Sequence, residues 1–276
     1  MHSVVELIQT LLPLLLVMFA GGLSAGFLAG LLGVGGGAIL VPILYEAFSF
    51  VGVDESIRMH MVLGTSFAVI APTSFRSAYG HWKKKAIDRD LLSRLGPWVT
   101  GGALFGVVIA GQIHTQKLIW IWVIGSCLMA LKMGIGNRDF RLGETMPKGK
   151  GLEIVASFIG VLSALLSIGG GMFFVSLLSL YSVPMIVSLA TSAGFGPLIA
   201  FPCMLAYMLA GIGVEHLPPY SLGYVNPLAA ALIIPTSLIA VPWGVNLAHK
   251  LSQRRLEVLF AVYLFIVCLN FLRKVL

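Results

Sequence analysis

Long apolar stretches alternate along the chain with short polar ones, and the apolar stretches lack the strict in-out alternation of strands. The first runs from residue 11 to residue 50. A bilayer-spanning helix needs roughly twenty residues, so this stretch is too long for one span. A glycine cluster at 33–37 divides it, ending in the consecutive Gly35, Gly36 and Gly37. Glycine costs about 1 kcal/mol per residue in a helix interior, so the cluster predicts a break. Further spans are expected at 61–79, 95–112 and 118–134. A polar segment at 136–151, containing Arg138, Arg141, Pro147, Lys148 and Lys150, reads as a linker. The order then recurs: a long stretch at 153–183 interrupted at Gly169, Gly170 and Gly171, and spans at 187–211, 228–248 and 256–272.

The recurrence extends to individual residues. Aligning 26–44 on 160–178 gives nine identities in nineteen positions, with the two triple glycines in register. Gly64-Thr65-Ser66 answers Ala190-Thr191-Ser192, Pro97 falls on Pro235, Gly106 on Gly244, Asp88 on Asn226 and Leu118 on Leu256. The expected fold is therefore an all-α polytopic helical membrane protein built from two structural repeats with glycine-broken helices. It has about eight hydrophobic regions and up to ten membrane segments. Residues 1–135 form the first repeat, 136–151 a cytoplasmic linker and 152–276 the second repeat.

Charge changes this picture by giving it direction. The segments 76–94, 132–150 and 250–255 hold 14 of the 18 Lys and Arg residues. By the positive-inside rule these segments are cytoplasmic. The loops at 112–117 and 212–222 then lie outside, so equivalent loops of the two halves face opposite sides. The repeats are expected to be inverted, with both termini outside. The first apolar run is expected to be retained, because residues 1–10 carry no basic n-region. Localisation in the inner or plasma membrane as a multi-pass protein follows.

Composition agrees: 58% of the residues are hydrophobic and 11% charged, against about 25% charged in an ordinary soluble domain. The formal net charge of +7 is accounted for by the basic loops and does not call for nucleic acid. Cys127, Cys203 and Cys268 sit singly in separate apolar runs, so packing roles are expected and neither a metal site nor a disulfide framework. There is no H-E-x-x-H, no P-loop and no soluble nucleotide-binding unit to drive a pump. No enzyme activity and no cofactor is expected.

Candidate chemistry concentrates at the breaks. A helix that starts at a glycine turn presents N–H groups without intrahelical partners and about half a positive charge from its dipole. Glycine lets an anion come close to the backbone. Inverted repeats with interrupted helices place transporter sites near the bilayer midplane. The expected substrate-binding residues are Gly35, Gly36 and Gly37 with Gly169, Gly170 and Gly171, completed by the hydroxyls of Thr65, Ser66, Thr191 and Ser192. Tight helix packing is the competing reading of the glycines, and bonding back to a helix carbonyl that of the hydroxyls. Arg76 is the one charged residue placed deep enough to invite a role, although it can reach the nearby interface. Asp88 and Asn226 are expected as helix caps, and His81 as a boundary residue able to titrate near neutrality.

The run Gly26-Phe27-Leu28-Ala29-Gly30-Leu31-Leu32-Gly33-Val34-Gly35-Gly36-Gly37-Ala38-Ile39-Leu40-Val41-Pro42 resembles the signature of the TauE/SafE sulfite exporter family, also called the toluene sulfonate uptake permease family. Gly64-Thr65-Ser66, His81-Trp82-Lys83 and Ile87-Asp88 are similar too, and the resemblance covers essentially the whole chain. It implies a permease for sulfite, a sulfonate or another small organic anion. The second copy departs from the pattern with Val175-Ser176 where the first has Val41-Pro42. The expected partners are the lipid bilayer and a small anionic substrate, with a homodimer left open. The rival readings are a permease for a neutral or cationic solute, an intramembrane enzyme, and a non-transporting scaffold or assembly subunit. The first lacks interior acids, the second lacks clustered His, Asp, Glu or Cys, and the third has no need of two glycine breaks.

Overall fold

A computed structural model describes residues 2–33, 35–135, 143, 146, 147, 149–181, 183–250 and 253–275. Most of the expected linker at 136–151 lies outside the described residues. Among those described, the chain forms ten helices: α1 (His2–Leu32), α2 (Gly37–Phe50), α3 (Glu55–Lys83), α4 (Arg89–Gly111), α5 (Thr115–Ile135), α6 (Lys150–Leu166), α7 (Gly171–Ser179), α8 (Met185–Ala210), α9 (Pro227–Ala248) and α10 (Gln253–Val275). Each long apolar stretch is broken at its glycines, giving five helices in each half.

Local signals set the helix ends. The Asp54 carboxylate accepts from Ser56 N at 2.7 Å and opens α3. Asp88 accepts from Leu91 N at 3.0 Å and opens α4, and Asn226 accepts from Ala229 N at 2.9 Å and opens α9. Both expected caps are present, at equivalent places. α3 extends beyond the expected 61–79 at both ends. Its polar ends looked like boundaries, but the structure gives them buried partners. His60 Nε2 lies 3.1 Å from Ala110 O, and His81 Nε2 lies 3.2 Å from Gly30 O. Arg58 donates to Val53 O at 2.8 Å and sits over the Tyr45 ring at 5.4 Å.

Packing joins the halves crosswise. α1 lies along α9 and α6 along α4, while α3 crosses α8 and α5 pairs with α10. Small residues bring the backbones together at matching points. An added Cβ at Gly26 would strike Ser237 O, and one at its equivalent Gly160 would strike Val99 O. One at Gly244 would strike Phe27 O, and at Gly106 it would lie 2.8 Å from Val161 O. Small residues permit such close approach where lipid removes the hydrophobic drive for helix association. Equivalent helices run in opposite directions. Along α3 and α8, Phe67 stacks on Tyr207 and Ser74 meets Gly196. Along α5 and α10, Trp122 packs on Phe271 and Gly134 lies beside Ala261.

The outer flanks are apolar: Phe75, Phe105, Leu128, Phe158, Phe201, Leu209, Leu228 and Trp243 are exposed. This is the surface a bilayer covers, since a soluble monomer seldom exposes so large an apolar patch. α4, α8, α9 and the second half of α1 are long and apolar enough to cross it. α2 and α7, with 14 and 9 residues, are not. At 1.5 Å per residue they rise only about 21 and 14 Å, short of the roughly 30 Å of hydrocarbon.

Candidate substrate-binding site at two glycine turns

Each break is a left-handed turn. Gly33, Gly35 and Gly36 have φ of 65°, 78° and 75°, and in the second turn Ser167 and Gly170 have φ of 50° and 73°. Gly36 and Gly170 are the N-cap residues of α2 and α7. L-residues other than Asn and Asp rarely adopt this region, so glycine is the residue the geometry asks for. After the first turn the chain doubles back: an added Cβ at Gly36 would come 2.5 Å from Ala25 O. α2 then runs antiparallel to α3, and α7 antiparallel to α8, where Phe174 stacks on Phe195 at 4.1 Å.

The two turns meet in the middle of the bundle. A Cβ at Gly35 would lie 3.3 Å from the Cα of Gly169, its equivalent, and 2.8 Å from Ile70 Cγ2. One at Gly37 would overlap Ser167 O. The start of α2 therefore faces the closing carbonyl of α6, so that backbone donors and acceptors converge at one point. Neither N-cap glycine supplies a side-chain bond to the first turn of its helix, which leaves leading N–H groups of α2 and α7 without a side-chain partner.

The expected hydroxyls divide into two kinds. Thr65 Oγ1 accepts from Asn226 N at 3.0 Å, and Thr191 Oγ1 accepts from Asp88 N at 2.9 Å. Each threonine thus fixes the cap residue of a helix in the other half, a role that neither site binding nor bonding to its own helix had suggested. Ser66 and Ser192 are fully buried, and their hydroxyls have no hydrogen-bond partner. They lie one helical turn before Ile70 and Gly196, on the faces that meet the glycine turns: Ile70 touches Gly35 and Gly37, and Gly196 approaches Gly169 O. Ser167 Oγ, within the second turn itself, is also buried without a partner. A buried unbonded hydroxyl costs about 1–3 kcal/mol, so three of them on the elements that border the turns need an explanation.

Four side chains hold the carbonyl ends of α1 and α6, and of these the sequence had marked only His81, as a boundary residue. Ser77 Oγ donates to Ala29 O at 3.0 Å, and His81 lies against Gly30 O. In the other half, Tyr207 OH donates to Ala164 O at 3.4 Å and Trp122 Nε1 donates to Leu166 O at 3.1 Å. The equivalence of His81 with Tyr207 was the available signal, visible by continuing the Thr65–Thr191 register along the chain. Arg76 is exposed beside Phe75 on the outer flank, away from the turns.

A cavity of about 250 Å³ adjoins the turns. Its inner wall includes Leu32, Leu166, Met172 and Leu189, which flank them, and Lys132 lines it on α5. Next to Leu166, whose carbonyl Trp122 holds, aromatic rings pack together. Tyr45 of α2 packs on Phe271, and Phe271 on the fully buried Trp122, with ring centroids 5.1 Å apart in each pair.

Helices with apolar outer flanks and two interrupted segments meeting at the centre define a polytopic membrane protein with the build of a secondary transporter. The chain belongs to the TauE/SafE sulfite exporter family: the family described as Sulfite exporter TauE/SafE matches residues 18–271. It is similar to a probable membrane transporter protein of Haemophilus influenzae, 31% identical over 261 residues, 95% of this chain and 98% of that protein. A probable membrane transporter protein of Methanocaldococcus jannaschii is 26% identical over 258 residues, 91% of each chain. The probable membrane transporter protein YunE of Bacillus subtilis is 22% identical, over 89% of this chain and 93% of its own. No solved structure matches. The family and these relatives indicate a membrane transporter.

Proposed function

We propose that the protein is a secondary transporter of a small anion, such as sulfite, a sulfonate or another organic anion, bound where the two glycine turns meet. The observations that carry this reading are the uncapped starts of α2 and α7 at the turns and the buried, unpartnered hydroxyls of Ser167 within the second turn and of Ser66 and Ser192 on the helix faces that border them. N–H and O–H donors of this kind match an anion's oxygens, and helix N-termini favour negative charge. Ser167 O faces the start of α2, so the site relies on several donors instead of one strong helix dipole.

The antiparallel courses of α3 with α8 and α5 with α10 support an inverted repeat. Orientation is supported by the bundle's two ends. Lys83, Lys84, Lys85, Arg89 and Lys250 gather at one; Asp54, Glu55 and Glu215 lie at the other. The basic end is read as cytoplasmic, in an inner or plasma membrane. The cavity beside Lys132 then lies in the cytoplasmic half and the Tyr45–Phe271–Trp122 cluster in the outer half, an asymmetry of the kind alternating access uses.

Uptake of sulfite, methanesulfonate and acetate into proteoliposomes tests the proposal. At least one anion should be carried by the wild-type protein, and Gly36→Leu and Gly170→Leu should each abolish the transport while still inserting in the membrane. Undiminished transport by both variants would overturn the site.

A further inference from the structure

We infer that His81 is a positioning residue that holds the α1 end of the first glycine turn in a proton-sensitive way, whereas Tyr207 holds the matching end of the second turn in a proton-insensitive way. The two residues occupy equivalent places on α3 and α8, and the carbonyls they meet, Gly30 O and Ala164 O, are equivalent on α1 and α6. The same clamp is thus built twice, once from an imidazole and once from a phenol. Free imidazole changes charge near neutral pH and a phenol does not.

The tautomer follows from the partner. A carbonyl only accepts, so His81 Nε2 carries the proton toward Gly30 O, and Nδ1 is left as a bare lone pair. His81 is fully buried and Nδ1 has no partner. The ring of His249, the residue that caps α9, is 5.5 Å away. Lys84, just past the end of α3, reaches across to α9, with Nζ 3.1 Å from Asn246 Oδ1 and 3.4 Å from Val245 O. Lys83 turns away over the Tyr79 ring, and Lys85 and Lys250 are exposed. α1 brings no titratable side chain from residue 12 to its end, and α9 contains no acid. Asp88 and Asp90 belong to the start of α4, where Asp88 is engaged with Leu91 N. Burial, with Lys84 nearby, also holds His249 below the usual imidazole range.

A second proton on His81 would therefore put a buried N–H against no acceptor, facing one ammonium and one further imidazole. The neutral clamp holds Gly30; the charged clamp is driven apart from α9. Acidification loosens the first turn and leaves the second as it was.

The test uses the full chain in detergent and does not depend on which solute is carried. Apparent thermal unfolding midpoints are compared between about pH 8 and pH 5, the range in which histidine titrates, for wild type, His81→Gln and Tyr207→His. The wild-type midpoint should fall on acidification. His81→Gln keeps a neutral donor and should lose at least half of that fall. Tyr207→His gives the second clamp a titratable ring and should deepen it. A merely structural His81 would lower the His81→Gln midpoint equally at both pH values and leave the wild-type fall intact, which would overturn the inference. If His81→Gln does not fold, an unchanged pH response in Tyr207→His overturns it alone.

Discussion

The two glycine turns share left-handed residues at equivalent places, Gly33 with Ser167 and Gly36 with Gly170, but not their surroundings. The first, at Gly33–Gly36, leads into a helix of 14 residues whose Tyr45 joins the Phe271–Trp122 cluster. The second, at Ser167–Gly170, leads into a helix of 9 residues that borders a cavity of about 250 Å³. A similar turn-and-helix arrangement occurs twice with different side chains around it, packed beside the first and bordering a cavity beside the second. Backbone geometry is held by features that recur, such as the Thr65–Asn226 and Thr191–Asp88 bonds. Access and proton response are set where the halves differ, as at His81 and Tyr207.

The sharpest contrast is between the aromatic packing and the cavity. Trp122→Ala should destabilise the fold by about 3–5 kcal/mol, as expected for a buried Trp, because it removes that packing and frees Leu166 O. Leu128→Ala, at an exposed position lining the cavity, should stay within about 0.5 kcal/mol. Unfolding in detergent measures both, and equal costs would remove the distinction. Thr65→Val and Thr191→Val should each cost about 1–3 kcal/mol, the range for an N–H left unbonded. Their costs should match, since the bonds they remove are equivalent; a clear inequality would break the symmetry.

Gly36→Ala and Gly170→Ala each carry the left-handed penalty of about 1–2 kcal/mol. Gly36→Ala should cost more, because its Cβ meets the Ala25 carbonyl, whereas at Gly170 it meets the flexible end of Ile199. The reverse order, by the same unfolding measurement, would show that the first turn is the more pliable. Asp88→Ala and Asn226→Ala should each lower stability by about 1 kcal/mol through loss of a cap, and again equally.

The sequence made the breaks, the five-helix halves and the Asp88 and Asn226 caps legible, because each depends on local propensity or on a pattern read along one helix. The ends of α3 were misplaced because polar residues flank 61–79, His81 reading as a boundary residue, and the partners of Arg58, His60 and His81 lie on other segments. The hydroxyls at 65, 66, 191 and 192 were picked out together, but their division into threonines that bond cap residues and serines without a partner was not. That depended on α9 and α4 delivering the Asn226 and Asp88 N–H groups to the threonines while nothing reached the serines. The carbonyl-holding roles of Ser77, Trp122 and Tyr207 were missed for the same reason: a carbonyl clamp is a property of two packed helices.

The central claim is that the two turns form one anion site. It is tested most directly by the thermal shift of purified protein with sulfite, methanesulfonate and acetate, since a ligand that binds the folded state raises its apparent stability. At least one of these anions should raise the wild-type unfolding midpoint, and the combined Ser66→Ala and Ser192→Ala substitution should abolish most of that rise. No shift with any of the three, or a rise of the same size in the double variant, would contradict the account.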